Sequence, residues 1–329
     1  DRKIDALRIQ HAFYLALPSL LFRRRWIPYC RTLERFFQSY SAPAPDIIQV
    51  EWVYPDAYAV LKLAEAWRKK VVITVHGRID IQPELGSYHP NLYTWALNQA
   101  DHVVCVSRDL KYRIAEKHGI PEARITVVPN GIDSEKFHPM PRASARKALN
   151  LPPDRRIILT VARLSPEKAL HVLIRAVSIC PNRDFDLIIV GDGPLKGALT
   201  ALIHKLKLQH RVFLVGGKPH DEIPWWLCAA DLFCLSSLHE GGPVVIHEAL
   251  ACGIPVVATQ VGGIPEILTK PECGLLCAPD NSYQLSCLLD QALQQSWNPD
   301  AITQHGQQFT WNMAATRLIS LYDNLNCGG

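Results

Sequence analysis

The sequence predicts an α/β protein built from two doubly wound parallel-sheet domains, and three observations carry that expectation. At 329 residues the chain exceeds what one hydrophobic core usually organises. Short apolar runs rich in β-branched residues alternate with longer amphipathic stretches almost throughout. That alternation stops once, between Asn130 and Asp154, where Pro139, Pro141, Pro152 and Pro153 cluster.

Taken in order, the strand candidates before the break are Ile47–Val50, Val71–Val75, His102–Val106 and Ile125–Val128. After it come Ile157–Val161, Leu187–Val190, Val212–Val215, Leu232–Leu235 and Pro255–Ala258. Continuous apolar runs of this kind suit parallel strands buried on both faces. Helical periodicity is expected over Asp56–Arg68, Leu92–Gln99, Arg108–His118, Glu167–Ser178, Leu195–Leu206 and Val244–Ala251. The organisation that follows is a first Rossmann-like domain over 1–140, a linker over 141–154, a second over 155–308, and a C-terminal helix over 309–329 that crosses back to the first. Ligands of such sheets bind at the carboxyl ends of strands, so the informative residues should follow strands and face the cleft between the domains.

The opening is unusual. The chain begins with Asp1, its first methionine is Met140, and no glycine precedes Gly77. A nucleotide- or phosphate-binding α/β domain normally opens with a strand and a glycine-bearing turn, and DRKIDALRIQ supplies neither. The first domain is therefore expected to be incomplete, with its natural N-terminus missing.

Composition narrows the function classes. Hydrophobic residues make up 48% and charged residues 20%, a globular balance, and the formal net charge is only +4. The one dense basic run, Arg23–Arg25, comes without a nucleic-acid motif, so no nucleic-acid partner is expected. The ten cysteines are scattered and contain no CxxC pair, which suits reduced thiols in a cytoplasmic protein and no metal site. No apolar run reaches the roughly 20 residues that span a bilayer. The stretch Ala12–Phe22 followed by Arg23–Arg25, Trp26 and Tyr29 leaves two readings open. One is a core helix ending in a solvated turn, the other a peripheral contact with acidic headgroups at the inner membrane face.

The chemistry-bearing segments each follow a strand. The densest is Leu235–Thr259, LSSLHEGGPVVIHEALACGIPVVAT. Pro243 is expected at the first helical position, and the N–H groups after Gly241 and Gly242 would then offer a phosphate site at the positive end of the helix dipole. Glu240 and Glu248, eight residues apart, can accept hydrogen bonds from sugar and ribose hydroxyls, although two glutamates at this spacing alone are more often surface residues. In TVARLSPEKAL, Thr160–Leu170, Arg163 and Lys168 flank a turn and suit a diphosphate; two cations near a turn are otherwise usually just solvated. The glycines Gly191 and Gly193 of VGDGP permit close backbone approach, and a plain turn explains them equally well; Gly216 of VGGKP, Val215–Pro219, stands in another post-strand turn, suited to holding a nucleobase by backbone groups. His76 and Gly77 end a strand, where a lone histidine is more often structural. Asn130-Gly131 is a turn signal whose ligand role chemistry alone leaves undecided.

Together these segments resemble the family 4 retaining glycosyltransferases of the GT-B fold. The matching pieces are Glu240-Gly-Gly-Pro…Glu248, Ala162-Arg-Leu-Ser-Pro-Glu-Lys168, Val190-Gly-Asp-Gly-Pro194, Val261-Gly-Gly-Ile-Pro-Glu-Ile267, Thr74-Val-His-Gly77 and Val128-Pro-Asn-Gly-Ile-Asp133. They stand in the family's order from about Ile47 onward. Glu51-Trp-Val-Tyr-Pro-Asp56 is similar to bacterial polysaccharide-assembly members. The resemblance implies that Arg163 and Lys168 hold the donor diphosphate, Glu240 the transferring sugar and Glu248 the ribose. Gly241, Gly242 and neighbouring N–H groups would bind sugar and phosphate oxygens, and His76 the sugar or distal phosphate.

The function so implied is a metal-independent, retaining hexosyltransferase. It would move a hexose from a UDP- or GDP-sugar, with no further cofactor, to a polysaccharide or lipid-linked acceptor. The alternative is a truncated, non-catalytic nucleotide-sugar binding module. A nucleotide-sugar epimerase fits the Arg163/Lys168 and Glu240/Glu248 set less well, and no GxGxxG fingerprint supports a nicotinamide oxidoreductase.

Overall fold

A computed structural model describes residues 2–4, 7–9, 26–38, 45–77 and 90–327. The stretch Ala12–Phe22 and the run Arg23–Arg25 lie outside the described residues. The chain divides into two compact units, Asp1–Val128 with Ile319–Gly329, and Pro129–Leu318.

In the first unit, β1 (Arg2–Ile4) and β2 (Leu7–Ile9) pair antiparallel with each other. The sequence reading finds no strand there, because three-residue segments are too short to show a period. Neither strand joins the main sheet. Next come α1 (Trp26–Gln38), β3 (Ile47–Glu51), α2 (Tyr58–Trp67), β4 (Lys70–Val75) and α3 (Pro90–Gln99). The series continues with β5 (His102–Cys105), α4 (Arg108–His118) and β6 (Ile125–Val127). The sheet order is β3-β4-β5-β6, every pair parallel. Val71, Ile73, Val75, Val103 and Cys105 from its strands are buried against Leu97, Leu110 and Ile114 from the helices. The helix α4 starts where Ser107 Oγ accepts the Leu110 N–H and ends at Gly119, whose φ of 66° gives the left-handed cap. Trp26 and Tyr29 are half-buried on α1, with Trp26 packed edge-on against Tyr58 at 5.3 Å and Tyr29 hydrogen-bonded to Asp56. Part of their aromatic surface is thus used inside this unit.

The second unit opens with α5 (Arg142–Ala148), inside the proline-rich stretch expected as a linker. RASARKA has no apolar stripe to reveal a helix. What holds it is Arg146, buried at 4% exposure, which donates to the Ala229 carbonyl at 3.0 Å and to Asp231 Oδ2 at 2.7 Å. Then follow β7 (Arg156–Val161), α6 (Leu170–Ile179), β8 (Phe185–Val190), α7 (Lys196–Lys205) and β9 (Val212–Gly216). The next elements are α8 (Ile223–Ala229), β10 (Leu232–Leu235), α9 (Val244–Ala251), β11 (Val256–Thr259), α10 (Ile264–Ile267) and β12 (Gly274–Cys277). The chain ends with α11 (Ser282–Gln294), α12 (Pro299–Gly306) and α13 (Trp311–Cys327), whose residues from Ile319 belong to the first unit.

The six strands are parallel in the order β12-β11-β10-β7-β8-β9, the doubly wound arrangement. Successive strand residues feed opposite cores. Ile157, Leu159, Phe233 and Leu235 face the cluster that includes α8, α9 and α12, while Ile158, Leu232 and Cys234 face the one that includes α6, α7 and α11. Chain order reverses between β7 and β10, so the crevice at their carboxyl ends is where a ligand is expected. None of the ten cysteines is in a disulfide, and among the described residues no helix is long and apolar enough to cross a membrane.

Candidate functional site

The two loops that leave the reversal point, after β7 and after β10, interlock. Leu238 N–H donates to the Glu167 carbonyl at 2.7 Å, and Ser236 Oγ donates to the Lys168 carbonyl at 3.0 Å. That registration brings together two residues 72 positions apart: Lys168 Nζ lies 2.6 Å from Glu240 Oε1. Ser237 Oγ donates to the same oxygen at 2.6 Å. Glu240 is thus a fixed carboxylate, its side chain 8% exposed, with Oε2 left for a ligand. Arg163 stands on the same loop as Lys168; its carbonyl accepts the Ser165 N–H at 2.9 Å, while its exposed guanidinium makes no hydrogen bond or ion pair among the described residues and acts on Glu167 only through its charge. An unpartnered guanidinium beside an occupied ammonium can meet an incoming anion without first breaking a contact.

The turn after Glu240 is pinned from both sides by its carbonyls. Gly263 N–H donates to the Gly241 carbonyl at 3.1 Å, and Asn130 Nδ2 to the Gly242 carbonyl at 3.0 Å. The N–H groups of Gly241 and Gly242 have no acceptor among the described residues. Pro243 is the cap residue of α9, one position before the helix, instead of its first helical residue, with φ −71° and ψ 106°. A proline ring tolerates the extended cap conformation as readily as the first turn, and the sequence could not separate the two. No side chain caps α9, so its first N–H groups keep their capacity for an anion.

Glycines shape the surrounding loops by allowing backbone to touch backbone. At Gly191, with φ of 145°, a Cβ would stand 1.9 Å from the Ala162 carbonyl oxygen, and at Gly193 one would stand 2.6 Å from that of Leu164. Their service is to let the β8 loop lie against the Arg163 loop, where Leu164 N–H donates to the Asp192 carbonyl at 2.9 Å. Gly216, φ 78°, accepts the Gly191 N–H at 2.9 Å. Gly131 presses on the start of α13, where a Cβ would come within 2.4 Å of Trp311 N. Asn130 and Gly131 therefore have structural work in the unit: one fixes the glycine turn, the other seats α13.

Glu248 is 6% exposed on α9 and takes a hydrogen bond from His220 Nε2 at 2.9 Å. Burial pushes its carboxyl above the usual carboxylate range, against the lowering effect of His220 and Lys136. His220 is held in turn against the Phe137 ring at 5.2 Å.

His76, in the first unit, follows β4. Its Nε2 lies 2.5 Å from Glu51 Oε2, while Gln49 Nε2 donates to Glu51 Oε1 at 2.6 Å. Burial raises the Glu51 carboxyl, but the hydrogen bonds from His76 and Gln49 outweigh it and hold it below the ordinary value.

Sequence reasoning missed Ser237, His220 and Gly262. Ser237 precedes Glu240 by three residues and Gly262 stands in the quoted Val261–Ile267 motif, so both were within sight. His220 lies 28 residues from Glu248, and nothing local links them. No group of three or more His, Cys, Asp or Glu suited to a metal ion occurs among the described residues.

The profile "Glycosyl transferases group 1" matches residues 141–309, and "Glycosyltransferase Family 4" matches residues 2–136, including the stretch before Ile47 where the sequence motifs have no counterpart. A phosphatidylinositol N-acetylglucosaminyltransferase GPI3 subunit of Saccharomyces cerevisiae is 29% identical over 78% of this chain and 58% of its own length. The putative teichuronic acid biosynthesis glycosyltransferase TuaC of Bacillus subtilis is 29% identical over 89% of this chain and 73% of its own. The chain thus spans little more than half of the yeast relative. Among solved structures, sucrose-phosphate synthase from Thermosynechococcus elongatus superposes with a TM-score of 0.79 at 22% identity, covering 96% of this chain and 81% of that one. Anabaena HepE in complex with UDP gives 0.78 at 23% identity, covering 92% and 84%. These likenesses show the GT-B fold.

Proposed function

The chain belongs to the glycosyl transferases group 1 family, and we propose on that footing that it is a retaining hexosyltransferase using a UDP- or GDP-sugar. The observation that carries the reading is the Lys168–Glu240 contact at the β7/β10 reversal, next to an unpartnered Arg163 and two glycine N–H groups without acceptors. The domain roles follow: the second unit binds the donor, and the first serves the acceptor.

In this reading the difficult event is departure of the nucleoside diphosphate. The bond from the anomeric carbon to phosphate breaks with its electron pair moving onto the diphosphate. Arg163, Lys168 and the N-terminus of α9 stabilise that charge. The acceptor oxygen bonds the anomeric carbon on the same face, and its proton passes to the departing phosphate. Glu240 is assigned to the sugar hydroxyls through Oε2, and Lys168 and Ser237 fix its orientation. Glu248, held by His220, is assigned to the ribose, and His76 to the sugar or distal phosphate. The glycines Gly191, Gly193 and Gly216 serve by shaping the loops that carry these groups.

The relatives support a nucleotide-sugar donor and a glycan or lipid-linked acceptor. HepE is described in complex with UDP-glucose, and the yeast relative is named for transfer to phosphatidylinositol. A cytoplasmic site of action is part of the same reading.

The test is a thermal-shift and calorimetric screen of the chain against UDP-, GDP- and ADP-sugars. Saturable, diphosphate-dependent binding is expected, weakened at least about tenfold in Arg163→Ala, where charge-assisted bonds to phosphate are lost. Its melting temperature should be unchanged, since the side chain has no partner to lose. An Arg163→Ala variant with wild-type donor affinity would refute the assignment.

A further inference from the structure

An aromatic side chain stands exposed beside the His76–Glu51 pair, and the donor chemistry does not use it. Trp52 is 45% exposed and follows Glu51 directly at the end of β3. Its φ of 78° lies in the region that side chains rarely adopt. Two backbone hydrogen bonds keep it there: Trp52 N–H to the Thr74 carbonyl and Ala57 N–H to the Trp52 carbonyl, both 3.2 Å. The indole is therefore held outward by the ends of β3 and β4 and by the turn into α2. Its centroid lies 5.5 Å from the His76 ring, at an interplanar angle of 42°.

Polar groups frame one side of this platform. Glu51 keeps a carboxylate 47% exposed; His76, Gln49 and the Thr74 hydroxyl supply three donors to its two oxygens, and capacity for a further donor remains. Gln49, also exposed, spends its amide hydrogens on Glu51 and on Thr74 Oγ1 at 3.2 Å, which leaves its carbonyl oxygen to accept. The Glu51 charge also reaches α13, where together with burial it pushes the Tyr322 phenol up.

Three ligand chemistries could use an exposed indole, and the frame discriminates among them. A lipid chain would strip water from Glu51 and His76 without replacing their hydrogen bonds. A nucleobase stacked on the indole would set its own carbonyl acceptors against a rim that offers acceptors, the Glu51 carboxylate and the Gln49 carbonyl. A neutral six-membered polyol ring meets neither objection. Its C–H face lies on the indole, and its rim hydroxyls bond the Glu51 carboxylate and the Gln49 carbonyl.

We propose that Trp52, Glu51 and Gln49 form an acceptor subsite for the hydroxylated ring of a pyranose or cyclitol, seated at the carboxyl ends of β3 and β4 with Trp52 as its stacking platform. This rests on the transferase reading and names the chemical class of acceptor for it.

Saturation-transfer NMR on the full chain tests the proposal, with methyl pyranosides of glucose, galactose and N-acetylglucosamine, and myo-inositol, as probes and hexan-1-ol as control. Transfer to ring C–H protons of at least one ring polyol and none to the alcohol is expected. A pyranoside signal identifies a saccharide acceptor and an inositol signal a cyclitol, and either upholds the shared chemistry. The dissociation constant should rise about tenfold in Trp52→Ala, as expected for loss of an aromatic platform, and return close to wild type in Trp52→Phe. If Trp52→Ala does not fold, Trp52→Leu, which keeps bulk and loses the aromatic face, carries the same expectation. Absence of transfer to every ring polyol, or equal affinity in the leucine and phenylalanine variants, overturns the proposal. UDP-glucose and GDP-glucose binding measured on the same samples separates the two readings. Donor binding without ring-polyol binding rejects the subsite alone, whereas absence of donor binding rejects the transferase reading beneath it.

Discussion

Gly262→Ala should disable the donor site from a position that touches no donor. Gly262 has φ of 54°, and a Cβ built there falls 1.8 Å from the Glu240 carbonyl oxygen. Real Cβ atoms essentially never approach closer than 3.0 Å, so the two loops must part by at least 1.2 Å. That movement breaks the adjoining Gly263 N–H to Gly241 carbonyl bond, now 3.1 Å. The left-handed backbone costs an alanine about 1–2 kcal/mol and the lost hydrogen bond about 1 kcal/mol. The second unit should therefore lose about 2–3 kcal/mol, or roughly 4–12 °C in melting temperature for a domain of this size. The larger effect is on function. Displacing Glu240 by more than 1 Å takes its carboxylate out of register with Lys168 and Ser237, and misplacements of about 1 Å in an active site cost on the order of 100-fold in rate. Differential scanning fluorimetry and donor calorimetry on purified protein provide the assay, with Gly197→Ala as control. Gly197 lies in α7, has nothing within 4 Å of its virtual Cβ, and should tolerate alanine with a gain of about 0.5–1 kcal/mol. A Gly262→Ala protein with wild-type melting and donor affinity would refute the claim that the Val261–Ile267 loop holds Glu240 in place.

Two further predictions concern residues of the second unit. Asn130→Ala removes the bond to the Gly242 carbonyl and should cost about 1 kcal/mol of stability while weakening donor binding, because the glycine turn loses one of its two pins; chemical denaturation and calorimetry read both. Unaltered donor affinity would show that Gly263 suffices. His247 is 1% exposed, packed 4.1 Å from the Phe309 ring, and burial with the nearby His305 charge lowers its pKa to about 3 from 6.5. A depressed histidine gives stability that is complete above its unfolded value and is lost as pH falls from 6.5 toward 3. The group should cost about 1.4 kcal/mol between pH 7.5 and 5.5. Urea melts of His247→Leu over that interval should be correspondingly flatter than wild type, and parallel profiles would contradict the burial argument.

The sequence by itself determined the architecture. Continuous apolar runs such as Ile157–Val161 and Leu187–Val190 become strands buried on both faces, because parallel strands covered by helices leave no polar side to show. Motif spacing also located Arg163, Lys168, Glu240 and Glu248 after strands. Where signals were weak or uncoupled to apolar periodicity, the reading failed: β12, GLLC, opens on a glycine and carries no β-branched or aromatic residue, and α5 is held by a buried arginine instead of an apolar stripe. What only the tertiary structure decided is which groups meet. The β7/β10 reversal sets Lys168 against Glu240 across 72 residues, and packing of the loop before α8 against α9 gives Glu248 its histidine. The roles of the glycines were decided there too. Gly191 and Gly193 look like ligand-binding glycines in sequence, yet each, like Gly262, is required because another backbone occupies the space of its missing side chain. A linear pattern records that a residue is small. The neighbour that makes it so is brought there by the fold.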